Sequence, residues 1–155
     1  MIRAVDTTFL VQLELKEAEG HERAWAFLDG AVLAPGHPLG LTPQVLEEFI
    51  HVVTDERRFE KPLRMAEALD KADTWWRAAE VRHVFPDSHA VMLFMEWMRA
   101  LRLGRKRVHD TLLAATCLSA GIREIVTSDR QGFEIFAGLA ICDPLTWTGD
   151  TDRLP

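Results

Sequence analysis

Cysteine and long apolar runs are scarce in this chain. Its 155 residues include only two cysteines, Cys117 and Cys142, whose spacing suits neither a zinc site nor a disulfide framework. We therefore interpret both as small buried side chains of a reduced protein. No apolar run approaches the length of a membrane-spanning helix, and the N-terminus lacks the apolar core of a signal peptide. The sequence predicts a cytoplasmic protein without a membrane segment.

Positive charge does not predominate either. The formal net charge of −6 argues against broad, charge-driven binding of nucleic acid, because neutralisation of phosphates normally supplies such affinity. A local basic patch nevertheless lies between Arg99 and Arg107, and it includes Arg105, Lys106 and Arg107. Taken alone, such a patch is typical of a solvated helix end and loop.

Length and composition predict one globular domain. A chain of 155 residues is long enough for one substantial core, and 48% apolar with 27% charged residues is typical of folded rather than disordered or membrane-embedded proteins. The chain contains no internal repeat and no low-complexity tract. We expect a single domain over residues 1–147, followed by a short C-terminal tail over residues 148–155.

Strand-like and helix-like segments alternate along the chain. Short apolar runs bounded by turn residues predict strands at 2–5, 39–41, 81–85, 122–126 and 139–141. Helical spacing and capping residues predict helices at 8–20, 21–28, 62–80 and 108–120, two more that begin at Thr42-Pro43 and Asp87-Ser88, and a helical turn at 133–136. This alternation predicts an α/β fold with a mostly parallel central sheet flanked by helices.

Three aspartates occupy related positions in this pattern. Asp6 and Asp129 follow predicted strands, and Asp110 lies near the start of a predicted helix. Each aspartate alone is typical of a turn or a helix cap. Groups just past the carboxyl ends of parallel strands meet in one crevice, however, and converging carboxylates favour a hard cation between them. Together the three aspartates predict a metal site.

Four short segments carry acidic residues in a recognisable order. They are Val5-Asp6-Thr7-Thr8, Gln44-Val45-Leu46-Glu47-Glu48-Phe49, Arg107-Val108-His109-Asp110-Thr111-Leu112-Leu113-Ala114-Ala115 and Ile125-Val126-Thr127-Ser128-Asp129-Arg130. Together they resemble the PIN-domain ribonucleases, in particular the VapC-type toxins of bacterial and archaeal toxin–antitoxin pairs. The resemblance continues to Asp143-Pro144-Leu145 and so covers most of the chain.

This resemblance implies a set of catalytic and metal-binding carboxylates, namely Asp6, Glu48, Asp110 and Asp129. Glu48 is preferred because it directly precedes Phe49, with Glu47 as the alternative. The implied ion is Mg²⁺, or Mn²⁺ in its place, which proteins bind through a few carboxylates and several waters. Asp6 and Asp110 would contact the ion most directly, while Glu48 and Asp129 would bind a second ion or orient waters.

Three hydroxyl residues accompany the first and fourth acids, namely Thr8, Thr127 and Ser128. They occupy positions where the family has small hydroxyl or amide residues. Hydrogen bonds to the carboxylates or to a metal-bound water would suit them, and so would ordinary helix capping and turn formation.

The resemblance also implies a function and a set of partners. The chain would be a metal-dependent endoribonuclease, a toxin whose partner is a small antitoxin and which forms a homodimer. Arg105, Lys106 and Arg107 would then contact the RNA backbone. Two alternatives stay open at this point: a PIN-like protein that acts through partner contacts without catalysis, and a housekeeping RNA-processing nuclease.

Overall fold

A five-stranded parallel sheet forms the centre of the fold in the computed structural model, which describes residues 1–149. Its strands are β1 (Arg3–Val5), β2 (Leu39–Leu41), β3 (Val81–His83), β4 (Glu124–Val126) and β5 (Ala140–Cys142). They lie in the order β3-β2-β1-β4-β5, and every neighbouring pair is parallel. The predicted α/β fold is therefore confirmed, and the sheet in the described residues is wholly parallel.

Helices connect these strands and pack in two groups. The seven α-helices within residues 1–149 are α1 (Thr7–Glu14), α2 (His21–Phe27), α3 (Pro43–Val53), α4 (Met65–Arg77), α5 (Ser88–Ala100), α6 (Val108–Ser119) and α7 (Arg130–Phe133). α1 packs against α2 and α3, α3 packs against α4, and α6 packs against α5 and α7. Successive residues of β1 and β2 are buried, so both faces of the sheet are covered, as a parallel sheet requires.

Two helix starts follow directly from their capping residues. Thr42 Oγ1 accepts the Val45 N–H at 3.2 Å, and Pro43 occupies the first helical position of α3, where no N–H is needed. The Asp87 carboxylate accepts the Ala90 N–H at 2.7 Å and so begins α5. Both starts were predicted from the sequence, because each depends only on residues within one turn.

The first two helices differ from the prediction of helices at 8–20 and 21–28. α1 ends at Glu14, and its terminal carbonyls are satisfied by side chains from α2: Trp25 Nε1 donates to the Leu13 carbonyl at 2.9 Å, and His21 Nδ1 lies 2.7 Å from the Gln12 carbonyl. Gly20, expected to stop α1, instead has a positive φ of 84° and precedes α2. Its carbonyl accepts the Ala24 N–H.

Other helix boundaries also differ from the prediction. The chain continues beyond α2 as a π-helical turn over Leu28–Leu33, in which Gly30 lies against Trp147 so closely that an added Cβ would be 2.2 Å from the indole. α4 begins at Met65 rather than residue 62, because Arg64 is extended and its N–H donates to the Glu67 carboxylate. The predicted turn at 133–136 is replaced by α7, which Asp129 caps.

The end of the chain is only partly covered by the structure. Trp147 packs edge-on against Phe27, with ring centroids 5.8 Å apart. Residues 150–155 of the expected tail lie outside the described residues, so the boundary at residue 147 stays a prediction. Cys117 and Cys142 are both free, and Cys117 is buried. None of the helices within residues 1–149 is long and apolar enough to cross a membrane.

Candidate active site

The predicted acids converge at the place in the sheet where the order of the strand connections reverses. The chain leaves β1 for β2 on one side and later returns to β4 on the other, so a crevice opens at the carboxyl ends of β1 and β4. A cleft of about 340 Å³ lies there, and the four predicted acids line it: Asp6, Glu48, Asp110 and Asp129. A fifth acidic side chain, Glu19 of the segment between α1 and α2, also lines the cleft. The structure thus brings together residues that are up to 123 positions apart in the sequence, from Asp6 to Asp129.

Asp6 is the most deeply buried of these acids, with 5% of its surface exposed. Its Oδ2 accepts two hydroxyl hydrogen bonds, from Thr8 Oγ1 at 2.9 Å and from Thr127 Oγ1 at 2.8 Å. Burial raises the pKa of Asp6, and the two hydroxyls oppose that rise because they favour the charged form. The threonines therefore fix the orientation of a carboxylate that burial alone would drive towards the neutral acid.

Asp110 lies in the first turn of α6 and is more accessible, since about a quarter of its side chain is exposed. Partial burial and, after it, the negative charges of Asp6, Asp129 and Glu48 together raise the pKa of Asp110 to about 6. Arg107 acts in the opposite direction, with Nε 3.9 Å from Asp110 Oδ2. Four carboxylates are therefore close enough to influence one another electrostatically, and a cation among them would relieve the repulsion.

Glu48 rather than Glu47 faces the cleft. Its Oε2 accepts a hydrogen bond from Thr7 Oγ1 at 2.7 Å, which links α3 to the first turn of α1 beside Asp6. Glu47 does not line the cleft. Thr7 is itself buried, so its hydroxyl is a fixed donor for a carboxylate that is otherwise exposed.

Asp129 is held by the backbone that follows it. Its Oδ1 accepts the Gly132 N–H at 3.0 Å, and its own N–H donates to Thr127 Oγ1 at 3.0 Å. An ideal Cβ at Gly132 would lie 2.6 Å from Asp129 Oδ2 and 3.4 Å from Asp110 Oδ2. Glycine therefore leaves the space in which these two carboxylates approach each other.

Family membership follows from comparison with known proteins. The PIN domain family matches residues 3–139, a range that contains the whole cleft and all four acids. The chain belongs to the PIN domain family. Its similarity to Ribonuclease VapC24 of Mycobacterium tuberculosis is 27% identity over 148 residues, which cover 94% of this chain and 99% of that relative.

Solved structures share this PIN fold. VapBC2 from Rickettsia felis, solved bound to a DNA fragment from its promoter, superposes with a TM-score of 0.65 at 17% identity, over 91% of this chain and 97% of that chain. VapC20 of Mycobacterium tuberculosis, a Sarcin-Ricin loop cleaving toxin, superposes with a TM-score of 0.54 at 21% identity, over 81% of this chain and 87% of that chain. At these identities the likeness establishes the fold alone.

The basic residues that precede α6 in this PIN domain have different surroundings. Arg105 and Lys106 are exposed in a 3₁₀ turn over Arg105–Arg107. Arg107 is partly buried and donates to two carbonyls of α7, those of Gln131 at 3.2 Å and Gly132 at 2.5 Å. The Arg107 guanidinium therefore ties the helix that carries Asp110 to the segment that follows Asp129.

The structure adds two polar residues that the sequence patterns did not single out. Thr7 orients Glu48, as described above, and Gln12 Nε2 donates to Ser128 Oγ at 2.9 Å inside the cleft wall. Ser128 thus bonds to a side chain of α1 and not to a carboxylate. Gln12 had one detectable signal, since it is a polar residue within the apolar run from Phe9 to Leu13.

The donors of the cleft suit a hard divalent cation. Carboxylate oxygens are the ligands that Mg²⁺ and Mn²⁺ prefer, and burial together with the nearby negative charges raises the pKa of Asp110. Within residues 1–149, no three carboxylate, imidazole or thiol side chains lie close enough together to enclose a metal ion. The arrangement therefore fits an ion that one or two carboxylates bind directly and that keeps several waters.

Proposed function

We propose that this PIN domain is a metal-dependent endoribonuclease and the toxin of a toxin–antitoxin pair. The observation that carries the proposal is the meeting of Asp6, Glu48, Asp110 and Asp129 in one cleft at the carboxyl edge of the sheet. The similarity to Ribonuclease VapC24 over nearly the whole of both chains supports RNA as the substrate.

Asp6 and Asp110 would hold the ion, which is Mg²⁺ or, as the alternative, Mn²⁺. When bound, this ion neutralises phosphate charge and activates a water for attack on phosphorus. Thr8 and Thr127 keep the Asp6 carboxylate in one orientation through hydrogen bonds to Oδ2. Glu48 and Asp129 would bind a second ion or orient waters, and Glu48 is suited to orienting water because it is exposed and is held by Thr7.

The basic residues would then divide into two roles. Arg105 and Lys106 are exposed and free to approach the RNA backbone, to which they would contribute charge without reading sequence. Arg107 shares the predicted RNA-binding segment, but its guanidinium is bonded to the backbone of α7, which supports a role in holding the site together.

The proposed partner is a small antitoxin, and a homodimer is the proposed state of the toxin. Solved relatives such as VapBC2 support the first part of this proposal, because they are complexes of a toxin with its antitoxin. A cationic antitoxin side chain placed in the cleft would be stabilised by the same four carboxylates that attract a metal ion.

Cleavage assays test the proposed function directly. Purified protein, freed of any bound antitoxin, is incubated with a panel of tRNA, rRNA and mRNA in the presence of Mg²⁺, Mn²⁺ or EDTA. We expect endonucleolytic products with either metal and none with EDTA. A folded protein that cuts no RNA and does not bind Mn²⁺ would instead indicate a binding protein that acts through partner contacts.

A pair of neighbouring variants tests the choice of glutamate. Glu48→Gln should lower kcat by about tenfold, because it removes the charge that Thr7 orients towards the cleft. Glu47→Gln removes the same charge one position away, outside the cleft, and should keep nearly full activity. Single-turnover cleavage rates of both variants test the assignment of Glu48. Equal rates for the two, or a larger loss from Glu47→Gln, would refute the assignment.

Gly132→Ala tests the spacing of the carboxylates. The added methyl group would lie 2.6 Å from Asp129 Oδ2, so this carboxylate must turn away from the cleft. We expect about a tenfold loss of activity in a protein that still folds. Gly104→Ala is the matched control, because an added Cβ there meets nothing within 4 Å. If both alanine variants cleave RNA like the wild type, Asp129 does not need its observed position.

A further inference from the structure

The cleft extends beyond the four acids towards the loop between α3 and α4. Arg58 and Phe59, both in this loop, line the same cleft as Asp6 and Asp129. Val11 and Val52 contribute apolar surface to the same cleft. The cleft therefore combines acidic side chains, including the exposed Glu19, with apolar surface, one cation and one aromatic ring.

Hydrogen bonds keep this loop in place. Its base is closed by the Leu63 N–H, which donates to the Val53 carbonyl at 2.8 Å. The Lys61 N–H donates to Glu17 Oε1 at 3.3 Å and so docks the loop on the segment after α1. Phe59 is partly buried and packs against the hydrophobic core, so its ring has a fixed position at the edge of the cleft.

Arg58 is less firmly held than its neighbour Arg57. Both arginines pair with Asp55, but Arg57 donates from Nε at 3.1 Å and from its backbone N–H at 2.9 Å, whereas Arg58 makes one contact at 3.5 Å. The Arg58 side chain is 58% exposed, and an ion pair of this kind adds little stability. Its guanidinium is therefore free to pair with an anion that enters the cleft.

We propose that Arg58 and Phe59 form a subsite for one unpaired nucleotide of RNA beside the cleaved bond. In this subsite Phe59 stacks on the base and Arg58 pairs with the phosphate. The inference deepens the proposed function and rests on it. A chain with a net charge of −6 and an acidic cleft repels a polyanion, so a cation that lines the same cleft favours docking.

The dimensions of the cleft favour a single nucleotide over a duplex. A volume of about 340 Å³ is at the small end of the range found for ligand pockets. Only an unpaired base exposes a face that an aromatic ring can stack on, and stacking of this kind tolerates any base. The subsite therefore favours single-stranded RNA with little preference for sequence.

Binding and cleavage assays test this subsite with a matched control. Affinity for a fluorescein-labelled, single-stranded oligoribonucleotide is measured by anisotropy in the Asp110→Asn background, where the probe stays intact. Arg58→Ala should weaken binding about tenfold and lower the salt dependence by about one phosphate contact. Arg57→Ala removes an equal charge from the adjacent position outside the cleft and should change neither.

Phe59 is tested by variants that separate stacking from packing. Phe59→Leu keeps an apolar side chain against the core but cannot stack, and it should weaken binding about tenfold. Phe59→Trp should restore most of the affinity. In the otherwise wild-type enzyme, Arg58→Ala and Phe59→Leu should raise KM while kcat stays within about twofold. Thermal unfolding of each variant confirms that it is folded.

The outcomes separate this inference from the proposed function. If the wild-type protein cuts RNA but Arg58→Ala behaves like Arg57→Ala, or Phe59→Leu binds like wild type, the subsite is wrong and the nuclease proposal stands. The subsite is also wrong if duplex and single-stranded probes bind with equal affinity. It is likewise wrong if the Arg58 and Phe59 variants weaken antitoxin binding and leave RNA binding unchanged. A wild-type protein that neither binds nor cuts RNA would remove both proposals.

Discussion

Asp6→Asn and Asp110→Asn should each lower the rate of RNA cleavage by about 10³-fold, equivalent to about 4 kcal/mol of transition-state stabilisation. Each substitution removes one negative charge from the pair proposed to hold the ion, while the amide keeps the size of the side chain. At position 6, the amide oxygen can still accept the hydrogen bonds of Thr8 and Thr127, so the fold should be retained.

The control for this experiment is Asp70→Asn. Asp70 lies exposed on α4 and does not line the cleft, so its substitution removes one charge without touching the site. Cleavage rates are measured in single turnover with Mg²⁺, and Mn²⁺ binding is measured separately by calorimetry. We expect Asp6→Asn and Asp110→Asn to lose both activities and Asp70→Asn to keep both. Full cleavage by either site variant would exclude that carboxylate from catalysis.

The sequence predicts the fold better than it predicts the helix ends. Alternating strands and helices specify a parallel sheet, and the starts of α3 and α5 depend on local caps at Thr42 and Asp87. The end of α1 depends instead on His21 and Trp25, which approach its last carbonyls from the next helix. A pattern read along one helix contains no information about such a tertiary contact.

The same distinction applies to the site. Asp6, Asp110 and Asp129 are detectable because each stands at a recurrent place next to a strand or a helix start. The donor to Glu48 and the two residues that the loop after α3 contributes to the cleft are not detectable in this way. Thr7, Arg58 and Phe59 owe their positions to packing between α1, α3 and the loop that follows α3. Their chemistry emerges only when these elements are brought together.

Stability of the metal-free protein should fall as the pH rises from about 4 to about 6.5. Asp110 has a pKa of about 6 in the folded chain against an ordinary value of 3.8, because of burial and the nearby acids. Between these two values the folded state binds more protons than the unfolded state. The stabilisation from protonated Asp110 is therefore complete below about pH 4 and is lost as the pH rises through about 6. Burial raises the pKa of Asp6, which acts in the same direction.

Asp110→Asn should remove most of this loss, because asparagine stays neutral at every pH. In EDTA at about pH 7.5 we expect the variant to be more stable than the wild type by roughly 1 to 2 kcal/mol, a value reduced for the partial exposure of the side chain. At about pH 4 the difference should shrink towards zero. Urea unfolding at both pH values measures it, with Asp70→Asn again as the control.

The same experiment with Mg²⁺ present separates charge repulsion from ordinary packing. A cation bound among the carboxylates stabilises the folded wild type at the higher pH, where the carboxylates are ionised, and has less effect at the lower pH. Asp110→Asn lacks part of the site and should gain little from Mg²⁺ at either pH. If the variant is instead less stable than the wild type in EDTA at the higher pH, Asp110 contributes to stability through contacts, and the four acids do not repel one another enough to require a cation.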